Sequence, residues 1–137
     1  MTLRLSIVAG IVLLTTALGS NAVRAAGDDE AAKPEFYTQK VQPIFAANCY
    51  RCHGGMNHRG GLSLSTRAGI LRGGKDGAVV TPGDPANSLL VKLIRHEGSK
   101  NGTESMPPKA KLPDADIATV ERWIRAGAIV PPDAPAQ

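Results

Sequence analysis

Apolar and polar positions along this chain fall into blocks, and the period of each block predicts an element. After Arg4 a predominantly apolar run reaches from Leu5 to Leu18 and gives way to small residues, Ala22-Val23-Arg24-Ala25-Ala26. A basic start, a short apolar stretch and a small-residue boundary predict a secretory signal peptide over residues 1–25. The run falls short of the ~20 residues a membrane span needs, so membrane association is expected only if this segment is retained. Residues 26–34 are rich in Ala and acids and are expected to be a disordered N-terminal segment; residues 132–137 are expected to be a disordered tail. Between them lies one compact domain, residues 35–131.

Within the domain the pattern is helical, broken by glycine and proline. Phe36, Val41, Ile44 and Phe45 recur at helical spacing from Glu35 to Asn48, predicting an amphipathic helix bent or interrupted by Pro43. Gly60-Gly61-Leu62-Ser63-Leu64 reads as a short extended link. Ser65 is placed to cap a short helix reaching Leu71, which Gly73-Gly74 stops. In Thr81-Pro82-Gly83-Asp84-Pro85 a turn precedes a capping Asp84 and a first-turn Pro85, predicting a helix to about His96 with Leu89, Leu90, Leu93 and Ile94 inward. The last helix is expected to start near Pro113 and to bury Ile117, Val120, Trp123 and Ile124. The first and last helices are expected to cross and seal a pocket.

The chemistry is concentrated in Cys49-Tyr50-Arg51-Cys52-His53. Residues three apart share a helix face, so the two thiols can meet two vinyl groups on one porphyrin edge while His53 reaches the iron; the spacing is that of a c-type haem attachment site. Two other uses of these residues have requirements of their own. A redox dithiol of the thioredoxin kind wants a βαβ pattern around its Cys-x-x-Cys, and no such alternation occurs. A zinc-stabilised module needs four ligands, and beyond two cysteines the chain offers only His53, His58 and His96, without the paired spacing of a zinc finger.

A haem so held needs a sixth ligand, for which thioether and imidazole are the usual donors. Met56, three residues past His53, reaches only about 10 Å even fully extended. His58 lies in a polar turn, and His96 at a helix end, where the helix dipole favours a surface imidazole. Met106 is placed differently: in Ser105-Met106-Pro107-Pro108 the prolines forbid helix and hold the loop extended, which presents the thioether across a cavity. The expected iron ligands are therefore His53 and Met106. The second ring nitrogen of His53 should donate to a carbonyl, for which Pro82 is the expected partner.

Composition fits a cofactor without requiring one. Aromatic residues make up 4% of the chain against fifteen glycines, so a porphyrin would fill core that side chains do not. Formal charge is +4 for the whole sequence and would be +2 once Arg4 and Arg24 leave with a cleaved signal. From Arg51 to Lys111 ten basic residues face four acidic ones, a local +6 between acidic ends. A basic stretch can bind nucleic acid, but this one lacks an aromatic stacking platform, so no nucleic-acid partner is expected. Counter-charge for haem propionates and a docking face for an acidic redox partner both account for it.

Taken in order, Cys49-Tyr50-Arg51-Cys52-His53-Gly54, Gly60-Gly61-Leu62-Ser63-Leu64, Gly73-Gly74, Pro82-Gly83-Asp84-Pro85, Ser88-Leu89-Leu90, Met106-Pro107-Pro108 and Glu121-Arg122-Trp123-Ile124 resemble the planctomycete-type cytochrome c domain. The resemblance implies an all-α, class I cytochrome c-like fold around one covalent haem c, with thioethers at Cys49 and Cys52 and iron between His53 and Met106. It also implies attachment outside the cytoplasmic membrane, hence a periplasmic location, and one-electron transfer between redox proteins without catalysis. The chain departs from the family's usual pattern at Ser65-Thr66-Arg67-Ala68 and at Pro113, both helix starts rather than ligands. The alternative function is a haem-dependent enzyme or gas or redox sensor with an open or labile sixth position. A peroxidase would want a distal acid–base residue, for which only His58 and His96 are present.

Overall fold

Proline sets the shape of the first helix. In the computed structural model, which describes residues 29–97 and 105–133, a helical run over residues 34–48 (α1) consists of an α-turn at Pro34–Phe36, a wider π-helical stretch at Tyr37–Val41 and a regular helix at Gln42–Asn48. Pro43 has no N–H for the preceding turn, and the ladder widens ahead of it: the Gln42 amide reaches back to the Tyr37 carbonyl. The expected interruption is thus a π-bulge upstream of the proline, not a break at it.

Next comes a single helical turn, α2 (Tyr50–His53), followed by a tight antiparallel hairpin in which His53 pairs with His58 and Gly54 with Asn57. Gly60 and Gly61 take left-handed φ values of 64° and 72° in a 3-10 turn at Arg59–Gly61, so the link expected to be extended becomes so only from Leu62. Helix α3 (Arg67–Arg72) is capped by Thr66, whose hydroxyl accepts the Gly69 amide at 3.0 Å, one residue later than the expected Ser65. Gly73 ends it at φ 78°, where a Cβ would sit 2.2 Å from the Gly77 carbonyl oxygen.

Helix α4 spans Leu89–Ile94, shorter than the expected run from Pro85. Asp84 does accept the Asn87 amide at 3.1 Å, but the Asn87 side chain donates back to it, and Ser88 Oγ bonds both Thr81 and Asp84. These local side-chain bonds compete with the helical ladder and delay its start. The buried set shifts accordingly to Leu90, Val91 and Ile94, with Leu89 and Leu93 half-buried. At the far end the Glu97 amide donates to Lys92 O and the His96 amide to Leu93 O, both at 3.1 Å, and His96 stands at φ 56°. This is a Schellman closure with histidine where glycine is usual, a left-handed residue that costs roughly 1 kcal/mol.

Helix α5 (Asp114–Arg125) follows Pro113 as expected and buries Ile117, Val120, Trp123 and Ile124. Trp123 is the centre of the core, with no exposed surface. Its ring lies 5.6 Å from Tyr37 and 6.0 Å from Phe45, joining α5 to α1, and its N–H donates to Ile129 O at 2.8 Å. Leu64, Ile70, Val79, Val80, Leu90, Ile94 and Leu112 complete one core. The domain is a small helical fold, as the pattern predicts. Its edges extend past the expected limits of 35 and 131: Ala31 is buried, Glu30 pairs with Arg122 at 2.7 Å, and Asp133 accepts the Arg67 amide at 2.8 Å. The predicted signal peptide lies outside the described residues.

Candidate functional site

The site is built on the turn that ends α1. The Cys49 amide donates to Phe45 O and the His53 amide to Cys49 O, both at 2.8 Å, so Cys49, Tyr50, Arg51, Cys52 and His53 continue the helical path for one turn. Both cysteines are free thiols, each half-buried. Burial, and then the neighbouring Cys52, pushes the Cys49 thiol up to about 11, so at neutral pH it is the protonated thiol and not a charged thiolate. Gly54 then lets the chain turn back: a Cβ there would lie 2.8 Å from Tyr50 Cβ and 2.9 Å from its Cα.

His53 is gripped twice. Its carbonyl accepts the Leu64 amide at 2.7 Å, and its ring Nδ1 lies 3.0 Å from the Arg59 carbonyl oxygen. A carbonyl can only accept, so Nδ1 carries the hydrogen and Nε2 is left outside this bond. The expected acceptor was Pro82; the actual one is Arg59, six residues on, brought back by the hairpin. Pro82 belongs elsewhere, next to Gly83, whose amide donates to Ile124 O at 2.7 Å. The missed signal was the glycine pair at 60 and 61, which turns the chain just after Arg59.

The other candidates sort by position. Met56 is fully exposed at the hairpin tip. His58 is directly opposite His53 in an antiparallel pair, where side chains project from the same face, and so cannot stand trans to it across an iron. His96, expected as a surface imidazole, is half-buried with Nε2 3.0 Å from Pro107 O. Met106 comes from a separate element: half-buried, its amide donates to Leu93 O at 3.1 Å, and its bond to Pro107 is cis.

The donor set fits a c-type haem. Two free thiols and a histidine whose Nδ1 is held by a carbonyl, leaving Nε2 outside that bond, stand on one turn. Burial, with Tyr50 alongside, also raises the Tyr37 phenol above its ordinary range. A zinc site would gather three or four ligands, and among the described residues no group of three His, Cys, Asp or Glu could hold a metal. No described helix is long and apolar enough to cross a membrane. Residues 49–110 match the family model described as planctomycete cytochrome C. No curated protein and no solved structure matches the chain.

Proposed function

From the premise that residues 49–110 belong to the planctomycete cytochrome c family, we propose that this protein is an exported, single-haem electron carrier of class I cytochrome c-like topology. Cys49 and Cys52 would hold haem c through thioethers, and His53 and Met106 would be the axial ligands. The chemistry a bound haem supplies is one-electron exchange at iron. The single observation that carries the reading is the hydrogen bond from His53 Nδ1 to Arg59 O, which fixes the ring and frees Nε2 for a metal.

The chain's own residues do the rest. Cys49, a neutral thiol at pH 7, and Cys52, three residues on, would hold the group by adding S–H across its two vinyl groups. Met106, soft and neutral, would favour the ferrous state relative to a second histidine. Held by both His53 and Met106, the iron would have no place for a substrate, as a carrier requires. Export follows from the predicted signal peptide and agrees with attachment outside the cytoplasm. Exposed Arg51 and Arg59 beside His53 favour redox partners with an acidic docking face.

Absorption spectra of the exported protein, oxidised and reduced, with and without carbon monoxide, test this alongside the intact mass. A covalent haem mass, a methionine-to-iron charge-transfer band and no response to carbon monoxide are expected. Ready carbon monoxide binding would replace the carrier with the enzyme or sensor reading, and a colourless protein would remove haem from the account.

A further inference from the structure

We propose that His96 is the positioning residue for Met106: its imidazole, locked to the Pro107 carbonyl, sets where the thioether stands and how firmly it is held. The inference rests on Met106 being the sixth ligand.

The geometry is a closed ring of hydrogen bonds. Leu93 O accepts the amides of His96 and Met106, each at 3.1 Å. From the other side, His96 Nε2 lies 3.0 Å from Pro107 O, and since a carbonyl only accepts, Nε2 carries the hydrogen. The end of α4 therefore fastens Met106 on both flanks, through its own amide and through the carbonyl of the next residue. Pro107 has no N–H, so its carbonyl is its only backbone handle, and His96 takes it.

The choice of residue is the second argument. His96 occupies the left-handed position of a Schellman closure, φ 56°, where glycine is the unstrained choice. As a backbone position this one is served better by glycine than by histidine. Backbone strain held at a position whose side chain reaches a candidate ligand loop is the pattern of a functional constraint.

The test compares the ferric holoprotein with His96→Gly, His96→Gln and Met106→Ala. Three readouts are followed: melting temperature, the methionine-to-iron charge-transfer band, and affinity for added imidazole, which competes for the sixth position. H96G relieves the backbone, so its melting temperature should not fall, yet its band should weaken and its imidazole affinity rise about fivefold to tenfold, the equivalent of one net hydrogen bond. H96Q keeps an N–H donor and should return toward the parent. A parental band and imidazole affinity in H96G, while M106A loses the band, would overturn the positioning role. H96Q behaving like H96G would overturn the hydrogen bond as its means. A parent without the band, indistinguishable from M106A, would instead bring down the Met106 reading and this inference with it.

Discussion

At the scale of single residues, two positions make the site's supports measurable. Gly54 has no room for a methyl group against Tyr50, at 2.8 Å from Cβ and 2.9 Å from Cα, and the backbone contact cannot yield as a flexible side chain would. Gly54→Ala should lower stability by about 1–3 kcal/mol in urea unfolding, the usual cost of overpacking. Asp84 shows the effect of a local bond on acid stability. Donation from the Asn87 side chain at 2.6 Å and from its amide at 3.1 Å holds the Asp84 carboxyl below the usual carboxylate range. The folded chain therefore binds this proton less readily than the unfolded one. Its stabilisation is present above the unfolded value, about 3.9, and disappears as pH falls through the lower folded value. Asp84→Ala should melt below the parent at pH 7, and the gap between their melting temperatures should close in acid.

At the scale of elements, α1 and α5 depend on one indole. Trp123→Ala should cost about 3–5 kcal/mol by urea unfolding, because it empties the space between Tyr37 and Phe45 and leaves Ile129 O without its donor. That helix was legible in the sequence because Ile117, Val120, Trp123 and Ile124 repeat at 3.6 and nothing local competes with them. The turn carrying Cys49, Cys52 and His53 was legible from spacing alone. What escaped was set by bonds that periodicity does not report. The Asp84 carboxylate takes the Asn87 amide and the Ser88 hydroxyl donates to Asp84 O, which postpones α4 and moves its buried face. Arg59 reaches His53 only because a hairpin folds between them. His96 was placed at a helix end correctly, but its partner lies eleven residues on, beyond the reach of any local rule.

At the scale of the whole molecule, charge and chain closure have separate consequences. The local +6 of residues 51–111 against the acidic flanks predicts that electron transfer to an acidic partner slows as ionic strength rises past roughly 0.1 M, where the Debye length shrinks to about 10 Å. Stopped-flow rates that do not change with salt would count against an electrostatic docking face. Closure is a matter of sequence distance. Tyr37 and Trp123 touch across most of the domain, so their contact forms only after a long loop has been shut, whereas the Cys49–His53 turn needs its immediate neighbours alone. Trp123 is also the sole tryptophan. In the haem-free chain its fluorescence therefore reads one event, water leaving the seam between the two ends of the domain.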